Sequence, residues 1–199
     1  MGQTVTVRAT DPTYAAMVAA ATEALRAENL RIVVRGANNK KDGILPIERY
    51  GLNFYIAGSM GDATVFKGSY TAEDLKVAVR NTEKAAVIGT MCEVLEDGGS
   101  SVDDWEPDGS ADTLTVLSAR GSFNGAGVLF CDSVLHKIWE KVGDFYILPS
   151  SIHEVLIVPV SDGIDRSELE TMVRTVNEVE VAAEDQLADK VFLFDGILH

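Results

Sequence analysis

Short strand-like runs follow one another along this chain with turn signals between them, and that succession limits the fold more than any other feature. Residues 4–8, 30–35, 44–49, 53–57, 63–67, 113–118, 125–130, 144–148, 153–160 and 190–194 are rich in β-branched and aromatic side chains or alternate apolar with polar ones. Between many of them lie only Gly, Asn, Asp and Pro, as in Asn38-Asn39-Lys40-Lys41-Asp42-Gly43 and Gly58-Ser59-Met60-Gly61-Asp62. Strands joined by so little chain must pair antiparallel, because a parallel pair needs a long crossover. Pro46 has no N–H to donate, so the run 44–49 reads as an edge or broken strand, the second arm of a hairpin with 30–35 that has a basic tip. Strand pairs outnumber strand–helix alternations. The expected class is therefore α+β, an antiparallel-rich mixed sheet with helices packed mainly on one face.

Four helices fit between the strands. Asp11-Pro12 reads as an N-cap followed by proline at the first helical position, opening a helix over 12–27 with Tyr14, Met17, Val18, Ala21 and Leu25 on its apolar stripe. Thr71 with Asp74 three residues later predicts a capping box and a helix burying Leu75, Ala78 and Val79. Asp132 reads as the cap of a third helix, with Val134, Leu135, Ile138, Trp139 and Val142 on one face and Gly143 as its stop. A fourth opens at 165–168 and runs to 178, and a short helical turn falls near 184–187. Residues 82–96 fit helix and strand about equally, and a strand is expected at 92–95. Residues 125–130 read as the returning strand of a hairpin. The stretch 96–112 is the longest without periodicity.

With 199 residues, one core can hold the chain together, so a single domain over 1–199 is expected. The finer alternative divides it into 1–69, an N-terminal helix and strand meander, and 70–199. No run approaches the ~20 apolar residues that cross a bilayer, and the N-terminus has neither the basic nor the apolar block of a secretory signal. No membrane association and a cytoplasmic location follow. Cys92 and Cys131 lack metal-ligand spacing and read as reduced, core-type thiols. A net charge of −14 disfavours direct nucleic-acid binding. That charge is uneven: residues 26–49 hold six Lys/Arg against three Asp/Glu, whereas 93–112 hold eight Asp/Glu and no base.

The segment Leu148-Pro149-Ser150-Ser151-Ile152-His153-Glu154 resembles the signature of bacterial domain-of-unknown-function family 5688. The resemblance continues in Thr71-Ala72-Glu73-Asp74-Leu75, in Gly125-Ala126-Gly127-Val128-Leu129-Phe130 and in Leu187-Ala188-Asp189-Lys190-Val191-Phe192, so that it covers mainly residues 70–194. Residues 14–47 also look like the start of that family, while the helical middle section of its longer members is missing. The family brings no established activity. Because its members often sit among genes of integrative and conjugative elements, the resemblance implies an accessory bacterial or mobile-element protein.

The residue types for nucleophilic chemistry concentrate at Ser150, Ser151, His153 and Glu154. A triad needs base and nucleophile within hydrogen-bond reach and a third group to orient the base. If His153 opens a strand, Glu154 points to the opposite face and cannot be that group. The serines then read as turn residues that satisfy backbone amides between two adjacent strands. His136, His153 and His199 are not spaced to share a metal, and Asp103, Asp104, Glu106 and Asp108 lack the glycine and final glutamate of a calcium loop, so no metal is expected. No phosphate-binding glycine motif occurs, and no cofactor is expected.

Trp105 lies amid Asp103, Asp104, Glu106 and Asp108, where it can either anchor an interface or fold back on its own domain. The leading expectation is an accessory protein that binds a protein partner through the acidic loop 96–112. The alternatives are a hydrolase using Ser150 or Ser151 with His153, and an acidic inhibitor that imitates nucleic acid. The sequence leaves the oligomeric state open.

Overall fold

A computed structural model of the chain describes residues 12–60, 63–96, 98–107, 114–120, 124–149 and 151–199. The expected strand at 4–8 and the Asp11 cap lie outside the described residues.

The strands form two antiparallel sheets, as an α+β fold with antiparallel pairing requires. In the first, β1 (Arg31–Arg35) and β2 (Ile47–Arg49) both pair with the long β3 (Leu52–Met60), which also takes up β4 (Ala63–Phe66). β1 therefore pairs with β3, and the hairpin expected between 30–35 and 44–49 does not form. A tighter turn takes precedence. Tyr50 and Gly51 both adopt positive φ, 58° and 77°, which is the two-residue geometry that matches strand twist and joins Arg49 to Leu52.

The second sheet has the order β10-β8-β9-β7-β5-β6, built from β5 (Ala86–Thr90), β6 (Ser100–Ser101), β7 (Thr115–Ala119), β8 (Phe145–Leu148), β9 (Val155–Pro159) and β10 (Phe192–Phe194). β8 and β9 are neighbours in it, paired from Phe145 with Pro159 to Leu148 with Leu156. The segment 148–154 is thus the connection between adjacent strands that the sequence predicts.

The helices are α1 (Pro12–Ala24), α2 (Ala72–Ala85), α3 (Met91–Glu96), α4 (Asp132–Val142) and α5 (Arg166–Val179). α2 begins with the expected capping box: the Thr71 hydroxyl accepts from the Asp74 amide, and the Asp74 carboxylate accepts from the Thr71 amide. Several expectations are corrected. The expected apolar stripe over 12–27 is buried only towards its end: Met17 and Val18 are exposed, whereas Leu25 packs against the core and Ala24 is buried. A Cβ on Gly58 would overlap the Ala24 carbonyl, so the helix end rests directly on β3. Residues 92–95 are helical, within α3, and the strand of this region is Ala86–Thr90. Asp132 is the first residue of α4, with Cys131 as its cap. Its carboxylate takes two hydrogen bonds from Arg49, at 2.7 and 2.9 Å.

Gly125–Phe130 is a 3-10 helix, not a strand. It is buried from Gly125 to Leu129 and packs against β1 and β7, with Gly127 so close to Ile32 that a Cβ would overlap the Ile32 carbonyl. This segment joins the two sheets, and one cluster of buried side chains contains Ile32, Val34, Phe54 and Ile56 of the first with Ile88, Leu117, Phe145 and Ile157 of the second. Cys131 is buried, and burial pushes its thiol up to about 12, whereas Cys92 is exposed and is not the core thiol expected.

Candidate functional site

The connection 148–154 is held from both sides by main-chain hydrogen bonds. Ile152 donates to the Asp185 carbonyl at 2.9 Å, Ala126 donates to the Ile152 carbonyl at 3.1 Å, and Ala188 donates to the Pro149 carbonyl at 3.2 Å. The Ser151 hydroxyl accepts from the His153 amide at 3.0 Å, and the Ser118 hydroxyl donates to the His153 carbonyl at 2.9 Å. Gly125 lies against both groups, and any Cβ there would overlap the Ser118 hydroxyl and the His153 carbonyl. Ser151 is 5% exposed. Its oxygen is engaged by backbone inside the fold. Ser150 lies outside the described residues.

The His153 imidazole faces a carboxylate other than Glu154. Its Nε2 lies 3.7 Å from Asp185 Oδ2, with both side chains one-third exposed. This separation suits an ion pair and is too long for a direct hydrogen bond. Nearby, Arg35 closes β1 as a buried cation, 6% exposed. Its Nη1 donates to Asn124 Oδ1 and to the Val34 carbonyl, both at 2.7 Å, and its guanidinium stands over the Phe66 ring at 5.3 Å. Asn124 passes the chain of contacts on by donating to the Thr64 hydroxyl at 2.7 Å. Burial lowers the pKa of Arg35, and the nearby charge of Asp185 opposes that shift. The guanidinium remains a cation at neutral pH.

Sequence reasoning missed Arg35, Asn124 and Asp185. Arg35 ends an apolar run, where it reads as a strand terminus, and its partner Asn124 is 89 residues away. Only the polar residue closing an otherwise apolar strand, Ile32-Val33-Val34-Arg35, could have drawn attention to it.

The acidic loop has a different construction. Trp105 is buried, 9% exposed, and belongs to the main hydrophobic cluster, so the indole anchors the loop to its own domain. Asp104 and Ser101 cap each other: the Ser101 hydroxyl donates to Asp104 Oδ2 at 2.6 Å and accepts from the Asp104 amide at 3.2 Å. Lys141 of α4 donates to the carbonyls of Asp103 and Trp105 and lies 3.3 Å from the Glu106 carboxylate, while Lys137 pairs with Asp103 at 2.7 Å. The Asp103 and Glu106 side chains are nonetheless 70% and 83% exposed. Asp108 lies outside the described residues. Among the described residues, no group of three or more His, Cys, Asp or Glu side chains is placed to hold a metal ion. No described helix is long and apolar enough to cross a membrane.

A family model described as a family of unknown function, DUF5688, matches residues 67–196. The chain belongs to the DUF5688 family. Neither the curated proteins nor the solved structures gave a match. The DUF5688 match starts immediately after β4 and takes in every strand of the second sheet. It includes Asn124, His153, Asp185 and the acidic loop, but not Arg35 or Thr64, so the polar cluster straddles the edge of the matched region.

Proposed function

We propose that this chain is a non-enzymatic binding protein that presents the acidic loop 96–112 to a basic patch on a protein partner. The supporting observation is the Lys141 clamp. By holding the carbonyls of Asp103 and Trp105, it fixes the backbone at 103–105 while the carboxylates of Asp103 and Glu106 stay in solvent. A loop ordered before encounter loses less conformational entropy on binding, and exposed charge speeds and orients association with an oppositely charged surface. Lys137 and Lys141 interrupt the acidic row with positive charge, which favours this reading over imitation of nucleic acid.

Zero-length carbodiimide cross-linking in the producing cells tests it, because only a carboxylate touching an amine is captured. Expected are links from Asp103 or Glu106 to lysines of a second protein, reduced at high salt and absent from the Asp103→Asn/Glu106→Gln variant. Links confined to Lys137 and Lys141 of the same chain would overturn the reading.

The His153–Asp185 pair favours a second reading, a hydrolase in which Asp185 orients His153 as general base. Ser151 is a poor nucleophile for it, because its hydroxyl is buried and bonded to backbone. Hydrolysis of a panel of activated esters that disappears in His153→Ala would establish this second reading over the first.

A further inference from the structure

On the side of the molecule where α2 passes into β5, a cavity of about 250 Å³ is lined by Arg31, Asn81, Lys84, Ala85 and Arg120. Three of its five lining residues are cationic and none is acidic, in a chain with 31 acidic residues against 17 basic ones. None of the three is in an ion pair among the described residues.

The backbone holds them together. The Arg120 amide donates to the Ala85 carbonyl at 2.6 Å, setting Arg120 beside the end of α2. Asn81 donates to the carbonyls of Ala27, at 2.9 Å, and Leu30, at 3.0 Å, which ties α2 to the segment leading into Arg31. Arg31 donates to the Glu28 and Leu30 carbonyls at 3.2 and 3.0 Å, and Arg120 donates to the Gly99 carbonyl at 3.3 Å. Neutral carbonyls aim these guanidinium groups without cancelling their charge, and each guanidinium has five donors, of which these bonds use a part. Among the described residues, the Lys84 side chain makes no ion pair.

A cation near the end of α2 is favoured by the helix dipole, and that accounts for Lys84. It does not account for Arg31, which opens β1, or Arg120, which follows β7. Three cationic side chains that line one concavity with no acid among them make it a place where an anion is attracted.

We propose that this cavity binds the phosphate group of a small phosphate monoester. A guanidinium presents parallel donors that match phosphate oxygens, and an ammonium adds a point charge. The volume is below the roughly 300–1,000 Å³ of clefts that hold drug-sized ligands, so the ligand is closer in size to glycerol phosphate than to a dinucleotide. The site meets the acidic loop only through the Arg120 bond to the Gly99 carbonyl and does not depend on that loop's role.

Amide chemical shifts of the full chain, followed by NMR while inorganic phosphate or glycerol 3-phosphate is added at constant ionic strength, test the proposal. Saturable shifts are expected at Arg31, Asn81, Lys84, Ala85 and Arg120, with glycerol 3-phosphate binding at least as tightly as inorganic phosphate. Lys84→Ala and Arg120→Ala should each weaken binding about tenfold, the loss typical of one charge-assisted hydrogen bond. Both side chains belong to exposed residues, and the unliganded spectrum of each variant reports its fold. If a variant is misfolded, the wild-type titration still decides. Shifts that do not saturate, that sulfate reproduces, that fall elsewhere, or that survive both substitutions with unchanged affinity would overturn the proposal, as would tighter binding of citrate than of either phosphate.

Discussion

The connection 148–154 and the loop 98–107 both contain residue types that suggest function, and the fold treats them in opposite ways. In the first, a hydroxyl turns inward: Ser151 is bonded to the backbone of His153, which Ser118 of β7 holds from the other side. In the second, an aromatic ring turns inward and the charges turn outward, with Trp105 in the core and the carboxylates of Asp103 and Glu106 in solvent. The difference teaches that a reactive side chain is informative only once the partners of its polar atoms are known. A hydroxyl bonded to buried backbone stabilises a turn, whereas a carboxylate on a fixed loop remains able to meet another molecule.

Trp105→Ala gives the largest expected effect. Removing a buried indole should cost about 3–5 kcal/mol, measured by urea unfolding, and a loss under about 1 kcal/mol would mean that the loop is not anchored as described. Gly125→Ala comes next. Its added methyl must displace the Ser118 hydroxyl and the His153 carbonyl together, for a loss of about 3 kcal/mol. An unchanged melting temperature there would show that the 148–154 connection tolerates movement.

Ser151→Ala should cost about 1 kcal/mol, one buried hydrogen bond, and leave partner capture intact. A variant that melts like the parent but loses capture or activity would reverse the comparison and make this turn the functional site. The smallest effect belongs to Asp103→Asn. With a mostly exposed side chain in its pair to Lys137, stability should change by less than about 0.5 kcal/mol, while its cross-links to a partner weaken.

Local chemistry was legible in the sequence and long-range chemistry was not. The capping box at Thr71 and Asp74 lies within one helical turn, and so do the opening of α5 near 165–168 and the Gly143 stop of α4, at φ 72°. The β8–β9 connection was legible too, because Pro149 interrupts two apolar runs. Gly125–Phe130 misled because its apolar content matches a buried strand, whereas the segment coils into a buried 3-10 helix with Gly127 close against Ile32. Residues 91–96 are too short for periodicity to separate helix from strand. The His153–Asp185 and Arg35–Asn124 contacts depend on how the two sheets meet, and no local pattern encodes that.

The packing of Gly127 on Ile32 also bears on how this protein can be recruited by others. Among the described residues, β1 is the outermost strand of its sheet, the position from which a foreign strand would extend the ladder. Its free side is occupied: the Ile32 amide donates to the Thr82 hydroxyl at 2.8 Å, and the Ile32 carbonyl lies under Gly127. Strand addition is blocked there, as is edge-to-edge stacking of copies through β1. An extended peptide that lengthens this sheet must approach the opposite margin, where β2 and β4 share the flank of β3.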